Sequence, residues 1–211
     1  MAELAKVTGV PVATVKFYAR EGLLHPGHAT AVNQAEYDET HVRRVKLVQA
    51  LLHLGRLSIA DAREVIAAVE DDTVSLHDAF GVAQDAMVPD RERGGPAYEA
   101  ALADVDRFVR RHRLRVREGA AVRLMLADAL VALVACGLAP DAKDLTNLFD
   151  ESVASAVASA TAEVATIPVT GRRTEQMEQT VVGTVTLEVA HSAIRRMALE
   201  HASAKRFGRR Q

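Results

Sequence analysis

The sequence predicts a mostly all-α chain, and three observations lead there. Aromatic residues are only 4% of the 211 and tryptophan is absent, which disfavours strand-rich sandwiches and barrels. Apolar residues reach 49%, dominated by Ala, Val and Leu alongside Glu and Arg, a composition that suits packed helices and argues against disorder. Apolar positions also recur three and four residues apart, within segments of helical length that glycine and proline separate.

Ala2 to Val7 reads as a short helix, and Gly9 supplies a turn that other residues resist. A second helix runs from about Val12 to Glu21, with Val15, Tyr18 and Ala19 on one side and Gly22 as its left-handed stop. Two short helices about a tight glycine turn form a helix-turn-helix. The second exposes Thr14, Lys16 and Arg20 among small residues, so it is slim enough for a major groove while its cations meet phosphates.

Residues 25–36 lack helical period and read as a loop or small β-wing ending at Tyr37. Asp38 caps a helix from Glu39 to Leu54, which Gly55 ends. Ser58 with Asp61 resembles a capping box opening the next helix. These elements complete an N-terminal winged helix-turn-helix over 1–70, followed by a connecting helix and linker over 71–96 and a helical effector or dimerisation domain over 97–211. Within the last, helices are expected over 97–118, 120–136, 141–166 and 173–206. The third-last of these, 120–136, is apolar nearly all round and is expected to be central.

The run from Glu3 through Gly9-Val10-Pro11 to Lys16-Phe17-Tyr18, then Arg20-Glu21-Gly22-Leu23-Leu24-His25-Pro26, resembles the start of the MerR family of bacterial transcription regulators. Tyr37-Asp38-Glu39, Leu54-Gly55 and Leu57-Ser58-Ile59 continue the likeness through residue 70. The resemblance implies a DNA-binding regulator acting on double-stranded DNA as a homodimer, with a small-molecule effector and a contact to RNA polymerase at the promoter. It assigns Lys16 and Tyr18 to the DNA backbone and Phe17 partly to packing. Members of the family usually carry Tyr-Arg before the closing aromatic of the wing, whereas this chain reads Gln34-Ala35-Glu36-Tyr37. Either His28, Thr30, Asn33 and Gln34 replace the missing phosphate contact or the wing binds weakly, and Arg43 and Arg44 are the better-charged candidates. The long pairing helix that the family places after the head is interrupted here by Pro89 to Pro96. Dimerisation is therefore expected through a face of 97–118 (Leu102, Val105, Val109, His112, Val116) or through the apolar C-terminal helices.

Charge is blocked along the chain: net 0 over 1–70, −7 over 71–106, +6 over 107–123, −5 over 124–170 and +4 over 171–211. The arginines from Arg107 to Arg117 are expected to pair with the acidic blocks on either side rather than to form a second nucleic-acid surface. The single cysteine, Cys136, excludes an intrachain disulfide and is expected to be a buried thiol.

No metal or cofactor is expected, since His25-x-x-His28 lacks a third ligand and Glu188-x-x-His191 is half of a di-iron signature. No glycine-rich phosphate loop or G-x-S-x-G elbow suggests an enzyme. The first residues lack a secretory pattern, and the uncharged apolar stretch between Asp128 and Asp141 is too short to span a bilayer, so a cytoplasmic location is expected. The rival reading is a helical ligand-binding or protein-interaction module with a vestigial head.

Overall fold

The computed structural model describes residues 1–31, 34–138, 149–167 and 170–207. The chain divides into two compact units, one made of Met1–Leu76 with Val169–Gln211, the other of His77–Pro168. This differs from the boundaries expected from sequence: the last helix joins the head, and the segment between them is an insertion.

In the first unit, α1 (Ala2–Thr8) and α2 (Val12–Arg20) form the helix-turn-helix, with Gly9 left-handed between them. Strands β1 (His28–Ala31) and β2 (Gln34–Glu36) pair antiparallel, His28 opposite Glu36, as the wing. Helix α3 (Glu39–Gln49) follows the Asp38 cap and passes into a π-helical turn, Ala50–Leu54. Helix α4 (Ile59–Glu70) opens on the capping box in which Ser58 Oγ accepts from Asp61 N and Asp61 accepts from Ser58 N.

Gly55 has an ordinary helical φ of −72°, so its place is explained by space rather than by handedness. A Cβ there would lie 2.9 Å from Leu51 O and 3.2 Å from Val185 Cγ1. Val185 belongs to the final helix.

The second unit contains α5 (Leu76–Ala86), α6 (Pro96–Arg111), α7 (Ala121–Ala135) and α8 (Asp150–Ala165). Its core joins Ala101, Val105 and Val109 of α6 to Ala127 and Leu130 of α7. The face of 97–118 offered above for dimerisation is thus spent on packing inside the unit. Helix α7 is less central than its composition suggests, because Met125 is 53% exposed and only Arg123, Ala127 and Leu130 are buried along it. Two more expectations meet the coordinates here. Cys136 is exposed rather than buried. Arg107, Arg111 and Arg117 do pair with Asp104, Asp150 and Asp85, drawing on both acidic blocks.

Helix α9 (Arg173–Phe207) returns to the first unit and packs on α3, the π-helical turn and α4. Met177, Val181 and Val185, four residues apart, are its buried stripe. Among the described residues no helix is long and apolar enough to cross a membrane, and no group of three or more His, Cys, Asp or Glu could hold a metal ion.

Candidate nucleic-acid interface

The recognition helix α2 divides its side chains cleanly. Val15 and Tyr18 are buried, while Val12, Ala13, Lys16 and Arg20 face outward and Thr14 and Phe17 lie between. Small residues beside two cations leave a narrow helix that can approach base edges. Lys16 makes no ion pair among the described residues. Arg20, 70% exposed, has its guanidinium 5.3 Å from the Phe17 ring centroid, and Nε 3.5 Å from Glu21. Phe17 therefore acts as a platform for Arg20 as well as a packing residue.

Tyr18 is 2% exposed and burial pushes its pKa up; its ring anchors α2 in the head, while its Oη lies 3.4 Å from Nε2 of His53, which is itself exposed. A second anchor, with no signal in the local spacing, is Arg63: its Nε donates to Glu21 O at 2.6 Å and Nη2 to Glu21 Oε2 at 2.8 Å, tying the end of α2 to α4.

The wing grows from a tight root. Gly27 is needed there because a Cβ would meet Glu36 O at 2.8 Å. His28, 70% exposed, lies 3.2 Å from Asp38 Oδ2. Asp38 also accepts from Thr40 N and faces His41 Nδ1 at 2.8 Å; Thr40 and His41 first, then His28, hold its carboxyl well below the usual carboxylate range. Tyr37 packs edge-on to the His41 ring at 5.0 Å. Thr30 and Gln34 lie on β1 and β2, and Asn33 lies outside the described residues.

Arg43 and Arg44 are turned to another use. Arg44 is 3% exposed and pairs with Glu70 at 2.7 Å and Glu178 at 3.3 Å. Arg43 meets Glu175 at 3.0 Å and Glu178 at 3.4 Å. Both guanidiniums join α3 to α9. The expectation that Arg44 offers charge to DNA is corrected on this ground: its guanidinium is buried between Glu70 of α4 and Glu178 of α9, the latter more than a hundred residues away. The signal missed in the sequence was the pair of glutamates at 175 and 178, one turn apart on an otherwise apolar face.

A groove-sized helix bearing outward cations, steadied by a buried tyrosine and flanked by a two-stranded wing, defines a winged helix-turn-helix DNA-binding protein. Residues 1–69 match the family described as MerR HTH family regulatory protein. The whole chain is similar to a crystal structure of the candidate transcriptional regulator SCO5550 from Streptomyces coelicolor A3(2), at 31% identity and a TM-score of 0.76, covering 100% of this chain and 98% of that one. Among curated proteins none matches. The chain belongs to the MerR family of helix-turn-helix transcriptional regulators.

Proposed function

We propose that this regulator works as a homodimer on inverted half-sites in a promoter, with Lys16, Arg20, Thr14 and the wing residue His28 meeting the DNA and residues 77–168 housing the response to a small-molecule effector. The observation that carries the dimer is the division of α9. Its first half is rooted in the head through Met177, Val181 and Val185, whereas from Thr186 to Phe207 its residues are exposed save for the half-buried Leu187 and Ser192. That distal part is about 30 Å long, and so long a solvated helix is marginal without a partner.

Its apolar positions Leu187, Ala190, Ile194 and Met197 keep the three-four spacing of a coiled-coil seam, which His201 interrupts before Ala204. At 100° per residue they lie roughly opposite the stripe buried in the head. Ile194 and Met197 are 57% and 61% exposed. A second copy supplies the same seam, and two heads then sit at a separation set by the helices that join them. Altering that separation bends or twists the promoter between the half-sites, which alters how RNA polymerase meets it.

Footprinting on the gene's own upstream region tests the reading. Two protected half-sites about one helical turn apart, or a multiple of it, are expected; a single protected half-site with a monomer in sedimentation would overturn the paired arrangement.

A further inference from the structure

The root of the wing gathers three imidazoles at one point. His41 is fully buried on α3, and the His25 ring lies against it, inclined by 56° at 3.9 Å between centroids, while the His28 ring meets it edge-on at 5.8 Å. His41 Nε2 lies 3.2 Å from Pro26 O and His25 Nε2 lies 3.3 Å from Thr40 Oγ1, so both rings hold the stretch from which β1 departs two residues later. We propose that this histidine cluster is a proton-responsive latch on the wing: with His25 neutral the wing is held closed for DNA, and a proton taken up at His25 releases it. The inference rests on the wing's contact with the DNA backbone.

The surroundings of His25 decide the sign. On α3 it faces His41 and the cations Arg43 and Arg44. From α4 comes Glu70, already bound to Arg44 at 2.7 Å. From the start of α9 come Arg172, Glu175 and Glu178, the two carboxylates being engaged by Arg43 and Arg44. Burial first, then the charges of His41 and Arg44, lower the His25 pKa from its ordinary 6.5, against upward pulls from the Pro26 backbone and Glu70. The closed wing therefore binds fewer protons than the open one, and it loses stability as pH falls below about 6.5. For an imidazole of ordinary pKa in the open state, about tenfold per head is the upper bound on the shift toward opening between pH 7.5 and 5.5.

The test uses the full chain and a fluorescein-labelled duplex of its own upstream region, titrated at pH 7.5 and 5.5 at constant ionic strength. Affinity is expected to fall by up to about tenfold per head at the lower pH, and His25→Gln to remove that pH dependence whatever its affinity at pH 7.5. A fall that persists undiminished in His25→Gln, or no fall in the parent, would overturn the latch.

Amide exchange of residues 27–31 and 34–36, corrected for intrinsic rate, gives a readout free of DNA and of any folding defect in the variant. Faster exchange at pH 5.5 confined to the wing is expected, and unchanged or uniformly faster exchange would refute the idea. Failure to bind the duplex at either pH would count against the choice of DNA site, leaving the exchange measurement to decide the latch.

Discussion

Replacing Glu178 with alanine takes one carboxylate from the middle of the junction between α3 and α9. Arg44, 3% exposed, then keeps Glu70 at 2.7 Å, and Arg43 keeps Glu175 at 3.0 Å. Removing one partner of a buried pair costs about 3–5 kcal/mol when nothing else compensates. The two remaining carboxylates are partly exposed and hold one arginine each, so the expected loss is about 2–3 kcal/mol.

Urea unfolding followed by circular dichroism reads this directly. With two units in the chain the head is expected to have its own transition, and with a slope of about 1–3 kcal/mol per molar urea its midpoint moves down by about 1 M. The paired substitution Arg44→Met with Glu178→Leu removes both charges together and is expected to recover most of the loss, since apolar residues of similar size often replace a buried ion pair at little cost. A Glu178→Ala protein within about 0.5 kcal/mol of the parent would refute the argument that the last helix is welded to the head through this cluster.

Further perturbations address the other links. Gly55→Ala drives a Cβ against Leu51 O and Val185, and should cost about 1–3 kcal/mol in the same unfolding measurement, where a glycine kept only for its φ would not. Lys16→Ala should weaken binding evenly across duplex sequences and lower the salt slope by about one per head; an unaltered slope would remove Lys16 from the phosphate contacts. Ile194→Glu combined with Met197→Glu should give a monomer in sedimentation with the head's melting unchanged, because both side chains are exposed. The Asp38 carboxylate, whose pKa is lowered chiefly by Thr40 and His41, supports the wing root above its ordinary pKa of 3.8 and withdraws that support as pH falls through the lower folded value; Asp38→Ala should flatten the acid limb of the stability curve, and an identical limb would place the acid-sensitive group elsewhere.

Helix limits were legible in the sequence because the signals that set them act over a few residues. Ser58 with Asp61 caps α4, and Asp38 caps α3. Gly9 and Gly22 adopt the left-handed φ of 71° that ends α1 and follows α2. The outward pair Lys16 and Arg20 was also legible, since three-four periodicity separates them from Val15 and Tyr18.

The same periodicity could not say how deep Tyr18 sits. Its depth depends on His53 and the π-helical turn that carries it, and a tyrosine is chemically suited either to a phosphate or to a core. Arg44 shows the stronger case. Its sequence neighbours make it an ordinary surface cation, while its real environment is made by Glu70 of α4 and by Glu178, which lies on a helix that follows an entire inserted unit.

What the residues determined by themselves was the helix-turn-helix, its wing, the run of helices beyond and the family likeness, all written in local spacing, caps and turns. Tertiary structure alone decided that α9 completes the head, that Arg43 and Arg44 fasten it there, and that three histidines meet beneath the wing. Those outcomes depend on which distant side chains share a low-dielectric interior, where a charge must find its partner, and no short stretch of sequence records that meeting.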